Sequence, residues 1–172
     1  RWGERGKNQT HLLSLLRGHR MKSLLKRMLD TNEFLSDFGI RALSRIHLDE
    51  PYRLNANGSE FIVRYQSGES DSYMFGGNSN WRGPVWMPVN YLLIESLQKF
   101  DYFYGNDFKI ECPTGSGKLM DLFEVSKEIS DRLVSIFLRD ERGRRPGRHD
   151  LDSRVVERCH QLGQARLVVD GD

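Results

Sequence analysis

The chain has 172 residues, of which 38% are hydrophobic and 29% are charged, and its 26 basic and 24 acidic side chains leave a formal net charge of +2. This near balance of positive and negative charge argues against a protein whose main partner is nucleic acid or an anionic membrane. The length suits one domain or part of one. No apolar run approaches the roughly 20 residues that a membrane span needs, and the first residues lack a signal-peptide pattern. We therefore expect a soluble, cytoplasmic protein with no nucleic-acid or membrane partner.

The first segment with helical spacing of apolar residues runs from Thr10 to Leu29 and carries a basic face that includes Arg20, Lys22 and Lys26. A helix that buries its apolar side and exposes its charges is the commoner explanation of such a pattern. The alternative is a noncatalytic helical interaction module, in which the basic face contacts a partner protein.

A hairpin is predicted between Tyr52 and Tyr65, where a turn of sequence ANGS separates two short runs rich in β-branched and aromatic residues. The stretch 67–80 that follows is rich in Gly, Ser and Asn, which favours a loop.

Two further helices are predicted at residues 85–104 and at about residues 119–138. The second of these places Glu128 four residues before Arg132, a spacing that favours an ion pair along the helix. Its apolar face is expected to hold five side chains: Leu122, Val125, Ile129, Leu133 and Phe137.

The segment CPTGSGKLMD, from Cys112 to Asp121, approaches the pattern of a phosphate-binding loop but departs from it at two positions. Cys112 stands where the first glycine is required, and Leu119 replaces the hydroxyl residue that binds magnesium. We favour a turn at the entrance of a helix and keep a nucleotide-binding protein as the alternative.

The segment from Phe75 to Leu97 has two tryptophans on either side of an arginine and a Gly-Pro turn. Tryptophan rings pack against the apolar faces of sugars, and a guanidinium group donates hydrogen bonds to hydroxyl or carboxylate oxygens. Taken on residue types alone, Trp81 and Trp86 are more simply core residues, with Arg82 paired to an acid.

Three motifs in order give the chain a resemblance to a known family. GNSNWRGPVWMPVNYLLIESL closely resembles the W-R-G-P segment of glycoside hydrolase family 63 and the mannosylglycerate hydrolase-like glycosidases. FLSDFGIRALSRIH resembles the family's Gly-Ile-Arg loop, and ECPTGSGKLMDLFEVSKEIS is similar to the segment that links its late helices. The resemblance covers roughly residues 12–146 and argues against nucleotide binding.

The resemblance implies an all-α fold: a partial (α/α)6 barrel, or six-hairpin toroid, with a small β-hairpin insertion. It further implies that residues 1–146 are the C-terminal portion of the catalytic domain of a glycosidase, whose partners are a carbohydrate substrate and the remainder of that domain. Residues 147–172 do not resemble the family, and we expect them to form a divergent, poorly ordered tail. Either a shift of reading frame or a genuine extension of the protein would produce such a tail.

The resemblance also implies an inverting glycosidase, which needs one carboxylic acid and one carboxylate base about 6.5 to 9.5 Å apart. Both are expected outside the matching region, so we assign no catalytic residue and expect the chain alone to be inactive. Asp37, Asp71, Glu95 and Glu111 are not singled out by their spacing. The residues carried over as substrate-binding are Trp81, Arg82, Gly83, Pro84, Trp86, Asn90, Gly39, Arg41 and Ser44.

No metal and no cofactor are predicted. The five histidines form no ligand spacing, and Cys112 and Cys159 lie too far apart in sequence for a zinc motif or a disulfide framework. The cysteine usage suits a reducing compartment.

Overall fold

The computed structural model describes residues 4–5, 11–12, 14, 16–65, 85–141 and 143–145. The loop predicted at residues 67–80 and the tail predicted at residues 147–172 lie outside these residues.

Three α-helices are present among the described residues: α1 at Gly18–Met28, α2 at Met87–Tyr104 and α3 at Leu122–Ser135. All three predicted helices are therefore confirmed, although the first is shorter than expected. Its predicted start at Thr10 is wrong, because Leu12 belongs to a strand.

The start of α3 is fixed by a capping box that the hydrophobic pattern did not reveal. Asp121 accepts a hydrogen bond of 2.8 Å from the amide of Glu124, whose carboxylate accepts one of 2.9 Å from the amide of Asp121. The predicted start at Leu119 is thus too early. The predicted burial of Phe137 is also wrong, since the helix ends at Ser135 and leaves this ring 60% exposed.

The all-α fold expected from the resemblance is wrong, and so is the partial (α/α)6 barrel. Within the described residues four two-stranded antiparallel hairpins are present, one before α1 and three in the connections between the helices. Three of the hairpins have strands of only two residues, which are too short for any alternation of polar and apolar side chains to be visible in the sequence. The strands are β1 Glu4–Arg5 with β2 His11–Leu12, β3 Leu35–Ser36 with β4 Gly39–Ile40, β5 Tyr52–Ala56 with β6 Ser59–Val63, and β7 Ile110–Glu111 with β8 Leu119–Met120.

The hairpin of β5 and β6 confirms the one predicted from the ANGS turn. Asn57 and Gly58 both have positive φ, 52° and 76°, as a two-residue turn of the mirror-image type requires. The turn sets the register, in which Leu54 lies opposite Phe61.

The core gathers apolar side chains from all three helices and from β3, β4 and β8. Four of the five residues predicted on the inner face of α3 are buried, and α2 packs along that helix. None of the helices among the described residues is both long and apolar enough to cross a membrane. The most deeply buried apolar residues of this core are Met21, Leu25, Leu29, Leu35, Leu122, Val125 and Ile129.

Cys112 follows β7 and belongs to the same core, where its side chain is fully buried. Burial raises the pKa of its thiol to about 11, with a smaller contribution from the charge of Glu128. At neutral pH this thiol is protonated and unreactive, so its role is packing.

The turn of sequence TGSG, which we expected at the entrance of a helix, instead closes the hairpin of β7 and β8. Its first residue caps the end of α1. The Thr114 hydroxyl donates a hydrogen bond of 2.7 Å to the carbonyl of Lys26, and its amide donates one of 3.0 Å to the carbonyl of Leu29. These carbonyls are among those that a helix leaves without partners at its C-terminus, so the turn ties α1 to the hairpin.

The same turn binds an anion of its own chain. The amides of Gly115 and Gly117 donate hydrogen bonds to the two carboxylate oxygens of Glu111, the first at 2.8 Å. These bonds hold the pKa of the Glu111 carboxyl below its ordinary value. A phosphate group would have to displace Glu111 from both amides, which counts against the nucleotide-binding alternative.

We predict that Glu111→Gln lowers stability at neutral pH and that the deficit shrinks on acidification. A carboxyl group whose pKa is lower in the folded state contributes stability that is fully present above its unfolded pKa of about 4.3 and is lost as the pH falls through the folded value. Urea midpoints at pH 7 and pH 3 measure this. The exposed Glu50 supplies the control Glu50→Gln, and a deficit that is equal at both pH values would contradict the prediction.

Candidate functional site

Asn90 joins the two segments that carry most of the resemblance. Its side chain accepts a hydrogen bond of 2.8 Å from the amide of Ile40 through Oδ1 and donates one of 2.9 Å to the carbonyl of Ile40 through Nδ2. Nδ2 also donates a bond of 3.0 Å to the carbonyl of Trp86. With 1% of its surface exposed, Asn90 binds backbone across 50 residues of sequence.

Gly39 lies where no side chain fits. Its φ is +115°, and a Cβ atom there would lie 2.8 Å from Cδ2 of Leu133 and 3.0 Å from Oδ1 of Asn90. The absence of a side chain therefore lets the hairpin of β3 and β4 approach α2 and α3 together.

A second tie comes from α3. Arg132 forms the predicted ion pair with Glu128 at 2.9 Å, and its Nη1 donates a hydrogen bond of 2.8 Å to the carbonyl of Ser36. The Ser36 hydroxyl donates a bond of 2.7 Å to the carbonyl of Gly39 and accepts one of 3.1 Å from the amide of Phe38. The turn between β3 and β4 is consequently held from within and from α3.

Arg41 follows this hairpin and is buried, with 6% of its surface exposed. Its Nη1 donates hydrogen bonds to three backbone carbonyls, the shortest of 2.6 Å to Leu35. Its backbone pairs with Val85 in an isolated antiparallel bridge. Ser44, also buried, accepts a bond of 3.4 Å from the amide of Ile46 and begins the 3-10 helix Arg45–Leu48.

The predicted substrate-binding residues thus fall into two groups. Gly39, Trp86 and Asn90 lie together, and the bridge to Val85 adds Arg41. Ser44 borders one cavity with Ile40 and Arg41. Trp81, Arg82, Gly83 and Pro84 lie outside the described residues, so the sugar-facing half of the prediction stays a prediction. Ser36 and Arg132 were missed by sequence reasoning, because neither has a signal beyond its residue type.

Four carboxylates were left without a catalytic role by the sequence, and the structure shows the surroundings of those that it describes. Asp37 is 76% exposed in its side chain and lies 3.8 Å from Arg132. Glu95 accepts a hydrogen bond of 3.2 Å from the Tyr91 hydroxyl and lies 3.6 Å from Lys99. Asp71 lies outside the described residues.

Comparison with known proteins decides the family. Residues 10–112 match the glycosyl hydrolase family 63 C-terminal domain. The chain belongs to this family. The match spans both segments that Asn90 connects, including the W-R-G-P segment.

Two fungal proteins are similar to this family 63 chain. It is 50% identical over 142 residues to the uncharacterized protein YMR196W of Saccharomyces cerevisiae, an alignment that covers 83% of this chain and 13% of that protein. It is 35% identical over 78 residues to a probable mannosyl-oligosaccharide glucosidase of Schizosaccharomyces pombe, which covers 45% of this chain and 7% of that protein. The chain thus spans a small part of the length of the curated relatives it matches. No solved structure matches it.

We predict that Gly39→Ala destabilises the chain by at least about 2 kcal/mol, because the new Cβ meets two packed side chains and strains the backbone. Gly58→Ala is the matched control, since Gly58 also has positive φ, +76°, but has no atom within 4 Å of the added Cβ. The control should lose about 1 kcal/mol from conformational strain alone. Equal losses in the two variants, measured by urea unfolding, would contradict a close approach at Gly39.

Proposed function

We propose that this chain forms the sugar-binding part of an inverting glycosidase that hydrolyses O-glycosidic bonds, and that it is inactive by itself. The observation that supports the proposal is the pair of hydrogen bonds between Asn90 and Ile40. They join the Gly-Ile-Arg loop to the start of α2, six residues after Pro84 of the W-R-G-P segment.

In this proposal the two groups of residues have different tasks. Trp81 and Trp86 pack against sugar rings, and Arg82 donates hydrogen bonds to sugar oxygens. Gly83 and Pro84 shape the turn between them. Four other residues border the pocket: Gly39, Arg41, Ser44 and Asn90. The side chains of Arg41, Ser44 and Asn90 fix the backbone of the loop around Ile40, because their polar atoms form hydrogen bonds with main-chain groups.

The catalytic carboxylates of the proposed reaction come from other parts of a longer protein. Inversion requires an acid that protonates the leaving oxygen and a base that removes a proton from the attacking water. Among the described residues, Glu111 is held by two backbone amides, the half-buried Glu95 lies beside Lys99, and the exposed Asp37 lies beside Arg132. A low pKa at Glu111 is the reverse of what a general acid needs.

The substrate is proposed to be a glucoside or a mannosylglycerate-like compound. The similarity to a probable mannosyl-oligosaccharide glucosidase favours a glucoside. A cytoplasmic location is part of the proposal and is supported by the buried free thiol of Cys112.

The test is glycosidase kinetics of the longer protein that contains this segment. We predict that Trp81→Ala lowers kcat/KM about tenfold or more with little change in the thermal midpoint, because stacking acts on bound sugar. Arg82→Lys should also lower kcat/KM, since lysine keeps the charge but loses the planar donor fork.

Tyr102→Ala is the matched control, because this ring is 83% exposed on α2. Its kinetics should equal those of the unmodified protein. If Trp81→Ala instead leaves kcat/KM unchanged and costs about 3 to 5 kcal/mol of stability, Trp81 is a core residue and the proposal is wrong. Hydrolysis of a glucoside by this chain alone would contradict its inactivity.

A further inference from the structure

A cavity of about 430 Å³ opens beside α1 and the residues that follow β4. Its volume is within the range of small-molecule sites. Most of its wall is apolar, and its polar residues are Arg27, Arg41, Ser44 and His47. The apolar wall consists of Leu24, Met28, Phe34, Ile40, Ile46 and Leu93.

Arg41 is the unusual member of this wall. It also borders a second cavity of about 80 Å³. Among the described residues only Nη1 of its guanidinium group donates hydrogen bonds, and Nε is buried and finds no acceptor there. Within the described part of the chain Arg41 has no ion pair, so a buried positive charge is left without an anion.

The acids near Arg41 are engaged elsewhere. Glu33, whose carbonyl accepts a bond from Arg41, places its carboxylate 2.6 Å from Nη2 of Arg27. Asp37, in the wall of the smaller cavity, lies 3.8 Å from Arg132 and is mostly exposed. Burying a cation costs less free energy when an anion lies beside it. The environment of Arg41 therefore favours an anion from outside the described residues.

We propose that the larger cavity binds a small amphipathic monocarboxylate, whose carboxylate pairs with Arg41 and whose apolar body packs against the wall. Of the Arg41 nitrogens that donate no hydrogen bond among the described residues, Nε is fully buried, so Nη2 is the one from which a carboxylate can accept a charge-assisted hydrogen bond. The apolar wall disfavours a polyhydroxylated body, because hydroxyl groups there would lose hydrogen bonds to water. Arg41 and Ser44 also border the proposed sugar pocket, but the test below uses a monocarboxylate, so its outcome does not depend on the sugar-binding role proposed for Trp81 and Arg82.

The probes are phenylacetate and its neutral analogue phenylacetamide, titrated into this chain by calorimetry. We expect saturable binding of phenylacetate at one site, about tenfold or more tighter than that of the amide, as a hydrogen-bonded charge pair implies. Because both titrations use the unmodified protein, this comparison does not depend on the folding of a variant.

Two variants test whether Arg41 supplies the positive charge that pairs with the carboxylate of the ligand. Arg41→Gln should weaken phenylacetate binding about tenfold or more. Arg53→Gln is the matched control, since Arg53 is also paired with a glutamate, Glu60 at 3.0 Å, but lies on β5 and does not border the cavity, and it should change the affinity less than about twofold.

Equal affinity for acid and amide, or no saturable binding, would overturn the proposal and leave a cavity that holds water only. Binding that Arg41→Gln spares would overturn it too. If this chain binds phenylacetate and the longer protein does not, a carboxylate of the protein itself fills the cavity, and the small-molecule proposal is wrong.

Discussion

The hydrogen bonds between the side chain of Asn90 and the backbone of Ile40 are the constraint on which the candidate site depends. An asparagine amide carries a donor and an acceptor on one planar group, so it can satisfy both the N–H and the C=O of a single residue. Aspartate offers no donor, and alanine would leave buried backbone groups without partners at a cost of about 1 to 3 kcal/mol each. Because Asn90 lies in the first turns of α2, it fixes how that helix meets the loop of Gly39.

The remaining contacts of the loop follow from this arrangement. Gly39 leaves room for Asn90 and Leu133, and Arg132 binds the carbonyl of Ser36 from α3. Arg41 then continues the chain into a bridge with Val85, the residue directly after the W-R-G-P segment. The loop is thus held by two helices and joined to the segment that we propose to bind sugar.

Sequence patterns revealed the parts of this fold that local forces determine. Leu122, Val125 and Ile129 recur at helical spacing and are buried, and Asn57 with Gly58 specifies a tight turn by φ alone. The two-residue strands could not be seen in this way, because contacts distant in sequence hold them in place. The TGSG turn has the composition of an anion-binding loop and does bind an anion, but the anion is Glu111 of the same chain. Asn90 was assigned to the site from the resemblance, whereas its bonds to Ile40 depend on tertiary structure and have no signal in the sequence.

Amide hydrogen exchange at Ile40 tests the role of Asn90 most directly. In the unmodified chain this amide should exchange as slowly as buried amides of α2, because its hydrogen bond to Oδ1 of Asn90 breaks only when the loop separates from the helix. In Asn90→Ala the protection of Ile40 should fall while that of the centre of α3 persists, and Gln98→Ala, at an exposed position of the same helix, should leave it unchanged. An Ile40 amide that exchanges at the rate of an open loop in the unmodified chain, or that is equally protected in Asn90→Ala, would contradict the role assigned to Asn90.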